Sequence, residues 1–150
     1  MFEDLRDLYN AEIIARGRRP QHMHRLAEFD ATAKGDNPMC GDRVQVWLKR
    51  GANGRITDTG FEARGCEISK ASADLMVEAV AGRSDADTRT LFAAFREMVQ
   101  TGDCPDCMAE LAALRPLAGV HEYPSRVKCA TLPWHALLAA LDGTANTSSE

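Results

Sequence analysis

Residues 43 to 63 constrain the fold most. Val44, Val46 and Leu48 alternate with Arg43, Gln45, Trp47 and Lys49, the stretch Gly51-Ala52-Asn53-Gly54 turns the chain, and a second run follows from Ile56 to Ala63. Alternation with period two sends successive side chains to opposite faces of an extended strand, and the Gly/Asn-rich connection closes two such runs into a hairpin. After Gly65 the period changes. Ile68, Ala71, Leu75, Met76, Ala79 and Val80 share one helical face until Gly82, which predicts a helix that begins at Cys66. Strands that pair locally before the helices begin predict an α+β fold with an antiparallel sheet. A third strand is expected from Arg25 to Ala33, where Leu26, Glu28, Asp30 and Thr32 alternate with Ala27, Phe29, Ala31 and Ala33. The expected architecture is therefore a small antiparallel three-stranded sheet packed against several helices.

The flanking segments add helices. Phe2 to Ile14 carries Phe2, Leu5, Leu8, Tyr9, Ile13 and Ile14 near helical spacing, and Gly17 and Pro20 are expected to end that helix and leave Arg16-Gly17-Arg18-Arg19 as a solvated loop. Lys34-Gly35-Asp36-Asn37-Pro38 reads as a turn. Asp87 to Val99 is helical up to Gly102, and Met108 to Leu117 is a shorter helical candidate bounded by prolines. Arg126 to Leu141 predicts a last helix whose regular hydrogen bonding starts late or kinks at Pro133. Residues 1–142 are expected to form one domain, because 150 residues suffice for one core, and 143–150 a flexible tail.

Charge and composition exclude several function classes. A net charge of −4 gives no general attraction to phosphate backbones or anionic membranes. The acidic start Met1-Phe2-Glu3-Asp4 lacks the basic and apolar regions of a secretion signal. The apolar stretch Ala136 to Leu141 is far shorter than the roughly 20 residues that span a bilayer. Five cysteines is an odd count that suits reduced thiols better than a disulfide framework. A soluble protein of the reducing cytoplasm is expected, with no nucleic acid and no membrane among its partners.

Three cysteines sit where chemistry is favoured. Asn37-Pro38-Met39-Cys40-Gly41-Asp42 places a thiol in a Pro/Gly turn with a carboxylate two residues later. Cys66 follows Gly65 at an expected helix start, where free N–H groups favour a thiolate, and Cys129 follows Arg126-Val127-Lys128, whose cations do the same. Three thiolates and an oxygen would satisfy tetrahedral zinc, with the harder carboxylate as the ligand most readily exchanged. By spacing alone, small buried core residues are an equally good account of these cysteines.

The same blocks carry a resemblance. Asn37 to Asp42, then Gly65-Cys66-Glu67-Ile68-Ser69-Lys70-Ala71-Ser72-Ala73-Asp74-Leu75-Met76, then Arg126-Val127-Lys128-Cys129-Ala130-Thr131-Leu132-Pro133-Trp134, resemble the signature blocks of the IscU/SufU (NifU N-terminal-like) family, in its order. The similarity runs from about Leu5 to Leu141. The long separation of Cys66 from Cys129, and Lys128 where IscU-type scaffolds place a histidine, point to the SufU branch. The resemblance implies a zinc-dependent sulfurtransferase. Cys40, Asp42, Cys66 and Cys129 would hold the zinc. Cys40 would accept persulfide sulfur from a SufS-type cysteine desulfurase, Arg126 would position the exchange, and SufB-type machinery would receive the sulfur. A scaffold for [2Fe-2S] assembly on the same residues is the alternative, and Lys128 favours transfer because lysine is a poor cluster ligand. A third reading is a structural-zinc interaction module, for which a site of four cysteines would be expected. From Arg16 to His24 the chain departs from the family's His-Tyr-x-Asn-Pro-Arg-Asn stretch and keeps only the proline, Pro20.

Other chemistry-bearing residues read more plainly. Cys104-Pro105-Asp106-Cys107 has C-x-x-C spacing without the βαβ setting of a redox motif, and is read as two surface thiols. His22 and His24 belong to a basic loop, His121 and His135 are isolated, and Trp47 and Trp134 are packing residues.

Overall fold

The computed structural model describes residues 11–38, 41–103 and 109–148. Within these, the order is helix α1 (Ala11–Arg18), strands β1 (Ala31–Asn37), β2 (Asp42–Arg50) and β3 (Ile56–Arg64), helices α2 (Glu67–Val80) and α3 (Asp85–Thr101), a 3-10 helix (Ala109–Glu122), helix α4 (Pro124–Leu141) and strand β4 (Asn146–Ser148). The fold is α+β as expected, but the sheet has four strands in the order β3-β2-β1-β4 and is mixed. β1 and β3 pair antiparallel with β2, whereas β4 lies parallel to β1, with Lys34 opposite Asn146 and Asp36 opposite Ser148. The segment expected as a tail thus supplies a strand. Short polar residues such as Asn146-Thr147-Ser148 give no apolar period, so backbone pairing to an open edge is invisible in the pattern.

Two boundaries also move. The chain before Ala31 does not pair as a strand. It crosses the outer face of the sheet, where Leu26 is buried against Gly60, Arg25 lies 5.2 Å over the Trp47 ring, and Phe29 stays 45% exposed. A Cβ at Gly60 would come within 2.4 Å of the His24 carbonyl oxygen, so only glycine admits this crossing. Conversely, Lys34 to Asn37 extends β1 instead of turning. Gly35 packs closely there, where a Cβ would meet Leu132 of α4 at 3.1 Å and Thr147 at 3.3 Å. The chain reverses between the paired Asn37 and Asp42, where the Gly41 N–H donates to the Asn37 carbonyl at 2.8 Å.

The inner face of the sheet carries Ala33, Val44, Val46, Leu48, Phe61 and Ala63, and α4 lies on it, backed by α2. At about 25 cal/mol per Å² of apolar surface, burial of this layer is the chief favourable term in folding. α3 joins through Phe92 and Phe95, whose rings stack on Trp134 at 5.9 and 4.8 Å. Ser84 caps its start by accepting from the Asp87 N–H, and Gly102 ends it with φ +84°. Pro124 starts α4 at a position where a missing N–H costs nothing, while Pro133 lies within the helix.

The basic cluster is not wholly solvated, as had been expected of it. Helix α1 continues through Gly17, whose Cβ would lie 2.5 Å from that of Glu67, so the glycine lets α1 seat tightly on the start of α2. That seating brings the Arg16 guanidinium onto Asp74 at 2.8 Å and onto Glu78. Arg18 and Arg19 remain exposed. No described helix is long and apolar enough to cross a membrane.

Candidate metal centre

Asp42, Cys66 and Cys129 converge at one end of the sheet. Asp42 opens β2 and points inward, Cys66 is the residue preceding α2, and Cys129 lies in the second turn of α4. One ligand atom of each lies within 4.8 Å of the others. Neither thiol is in a disulfide, Cys129 is fully buried, and Asp42 is 1% exposed. Cys40, Cys104 and Cys107 lie outside the described residues, so the fourth expected ligand and the C-x-x-C pair have no structural counterpart here. Cys40 stands two residues before Asp42 in the chain.

Gly65 shapes the centre. It holds φ +125°, a region that L side chains rarely adopt, and a Cβ there would sit 2.0 Å from Asp42 Oδ1. With no side chain in the way, the Asp42 carboxylate reaches the start of α2. Oδ1 accepts the Cys66 N–H at 2.9 Å, and the Cys66 thiol donates to Oδ2 at 3.4 Å. Cys129 donates to the Ser125 carbonyl at 3.5 Å, and the buried Asn37 amide places Nδ2 at 3.9 Å from the Cys129 sulfur.

The electrostatics differ between the two thiols. The Cys66 thiol is held below its usual value, chiefly because Cys129 donates a hydrogen bond to it, against the opposing effect of burial. Cys129 is pushed well up, first by that same hydrogen bond, then by burial and by Asp42. Cys129 is therefore not the thiolate that the neighbouring Arg126 and Lys128 suggested, because its hydrogen bond to Cys66 and its burial favour the protonated form. Three acidic groups crowded out of water call for a cation. For tetrahedral zinc, ligand distances of about 2.3 Å to sulfur and 2.0–2.2 Å to oxygen imply S···O edges of about 3.6 Å and S···S edges of about 3.8 Å. The Cys66–Asp42 edge of 3.4 Å matches, and the 4.8 Å limit leaves a contraction of up to about 1 Å for the remaining edges. The donor set fits such an ion.

Of the remaining predicted residues, Arg126 lies in the first turn of α4, three residues before Cys129 and partly exposed, and its N–H bonds the Tyr123 carbonyl at 2.7 Å. His22 leaves the solvated-loop role assigned to it, since its N–H donates to Asp74 at 2.7 Å and its ring meets Glu78 at 2.9 Å. His135 packs edge-on against Phe92. Sequence reasoning placed Asn37 in a turn and assigned it no role. Its position three residues before Cys40 was the available signal.

Fold and site together define a small α+β protein with a largely buried thiol and carboxylate cluster that could hold a metal ion. The chain belongs to the family of NifU-like N terminal domains, whose model matches residues 8–130. It is 38% identical over 142 residues to the iron-sulfur cluster assembly scaffold protein IscU of Streptococcus pyogenes serotype M1, covering 95% of this chain and 87% of that one. It is 37% identical over 102 residues to the zinc-dependent sulfurtransferase SufU of Bacillus subtilis (strain 168), covering 68% of each. Among solved structures, a nitrogen-fixing NifU-like protein (N-terminal) from Brucella abortus superposes with a TM-score of 0.83 at 26% identity, over 93% of this chain and 96% of that one.

Proposed function

We propose that the protein is a zinc-dependent sulfurtransferase of iron–sulfur cluster assembly that accepts persulfide sulfur from a SufS-type cysteine desulfurase and relays it to SufB-type machinery in the cytoplasm. The observation that carries this reading is the convergence of Asp42, Cys66 and Cys129 within 4.8 Å in a buried, acid-rich setting. Cys40, two residues before Asp42, completes a four-ligand set. Its relatives named for cluster assembly and for zinc-dependent sulfur transfer support the process and the metal.

Zinc supplies charge compensation without redox chemistry, so persulfide sulfur survives beside it. The chain's own residues do the rest. Cys66 and Cys129 hold, because one stands at the start of a helix with its N–H bonded to Asp42 and the other is sealed in the core. Asp42 is the hard ligand among soft ones and the easier to exchange. In the transfer step the Cys40 thiolate attacks the terminal sulfur of the desulfurase persulfide. A new S–S bond forms, the old one breaks, and the desulfurase cysteine leaves as a thiolate, so no net oxidation occurs. Arg126, on the turn of α4 before Cys129, positions the incoming anionic sulfur.

The alternative reading, a scaffold for [2Fe-2S] assembly, is favoured by the Streptococcus pyogenes relative named as an iron-sulfur cluster assembly scaffold protein. Metal analysis of anaerobically purified protein separates the two: one zinc and no colour is expected, whereas brown protein containing iron and sulfide overturns the zinc assignment. Desulfurase turnover should rise when the zinc protein is added and fall back with Cys40→Ala. Acceleration that survives this change rules out Cys40 as acceptor.

A further inference from the structure

We propose that Asn37 is a positioning residue of the metal centre, whose side-chain N–H donates to the Cys129 sulfur and keeps that sulfur a holding ligand and not a reacting one. This deepens the zinc reading above and rests on it. Asn37 ends β1, pairs with Asp42 across the turn, and accepts the Gly41 N–H on its carbonyl at 2.8 Å. Its side chain is buried, at 1% exposure, and crosses from the sheet to α4 to place Nδ2 at 3.9 Å from Cys129 Sγ. That is the outer limit for an N–H···S contact with a neutral thiol, and charge on the sulfur strengthens such a bond. One residue therefore ties the turn that carries Asp42 to the sulfur of a different element.

Asp42 acts on both described sulfurs and so does not distinguish them. The side-chain amide of Asn37 reaches Cys129, whose own thiol donates to the Ser125 carbonyl. Once the metal displaces the Cys129 proton, that N–H withdraws electron density from the thiolate and lowers its nucleophilicity. Hydrogen bonds to ligand atoms are a recognised means of tuning a metal centre, and their loss costs about 10–100-fold in affinity or activity. At Cys129 the effect is to hold the metal more firmly and to direct electrophiles elsewhere in the site.

The test uses the full chain loaded with zinc or with cobalt(II), whose sulfur-to-metal charge-transfer bands report thiolate electron density. Asn37→Leu removes the donor with little change in volume. Asn37→Asp keeps the outline of the side chain and turns the donor into an acceptor, and it gives the answer if the leucine variant does not fold. The expected results are a charge-transfer band displaced to longer wavelength and zinc lost to a competing chelator about 10–100-fold more readily. A merely structural role would leave the band energy of the folded, cobalt-loaded variant unmoved. Unchanged bands and unchanged chelator competition in a folded variant overturn the Asn37 role alone. A wild-type protein that shows no thiolate-to-cobalt band overturns both this role and the zinc reading.

Discussion

Two aspartates are buried among the described residues, and they are satisfied in opposite ways. Asp74, fully buried on α2, meets the Arg16 guanidinium at 2.8 Å and the His22 N–H at 2.7 Å. Asp42, 1% exposed at the start of β2, meets the Cys66 N–H and thiol and, among the described residues, no cationic side chain. Burying a carboxylate costs several kcal/mol unless an opposite charge offsets it. At Asp74 the chain supplies that charge itself, and the result is a staple that holds α1 on α2. At Asp42 the chain supplies two thiols instead, which adds acidity to the site. A cluster completed from within is structural, and a cluster that leaves its charge to be met from outside is built to bind.

The largest expected effect breaks or sustains this contrast directly. Arg16→Met should cost about 3 kcal/mol in urea unfolding of the metal-free protein, because it leaves Asp74 buried without its cation. Asp42→Asn in the same metal-free protein should cost at most about 1 kcal/mol or stabilise it slightly, since it removes one of three crowded acidic groups. If the two substitutions cost the same, the distinction between the aspartates is wrong.

Gly65→Ala is expected next in size. The residue holds φ +125° and its new Cβ would press on Asp42 Oδ1, so about 2 kcal/mol of strain is expected, together with weakened zinc binding. Combining it with Asp42→Ala should recover part of the stability, because the carboxylate contacts are gone while the backbone contact with the Asp42 Cα at 2.9 Å remains. The recovered part is the non-additive term of a double-mutant cycle. Full additivity would show that backbone strain alone, and not the carboxylate cradle, makes glycine necessary.

The legible parts of the molecule were those with strong periodicity or a tight local signal. The β2–β3 hairpin and helix α2 followed from alternation and from its change at Gly65. The convergence of Asp42, Cys66 and Cys129 was anticipated from signature blocks, since spacing alone left these cysteines equally acceptable as core. What escaped was long-range and polar. Strand β4 has no apolar pattern, and Lys34 to Asn37 reads as a turn although Gly35 lies in an extended strand packed closely under helix α4. Arg16 and Asp74 are 58 residues apart, and the chain gives no local sign that they pair. Helix positions alone also misjudged Cys129, because thiolate stability depends on Cys66 and Asp42 across the fold more than on the Arg126-Val127-Lys128 cations beside it.

The smaller effects concern pH, and they separate the two clusters without mutation. Cys129 is raised in the metal-free protein, so it carries its proton at neutral pH, and zinc must displace that proton to gain the thiolate. Zinc affinity should therefore fall as pH is lowered from 8 to 6, by about tenfold per unit for each proton released, and calorimetry in buffers of different ionisation enthalpy counts those protons. The staple follows the opposite group type. Glu78 is held below its usual value by the Arg16 hydrogen bond, and also by His22. A depressed folded value means that its contribution is present above the ordinary carboxylate range and is lost as pH falls through the folded value. Docking of α1 should thus be insensitive between pH 8 and 6, and metal-free stability should decline only in acid. Glu78→Gln should flatten that acid limb slightly, because the side chain is 42% exposed and solvent screens its ion pair. A stability loss of the metal-free protein that tracked zinc affinity through neutrality would instead mean that the two clusters titrate as one unit.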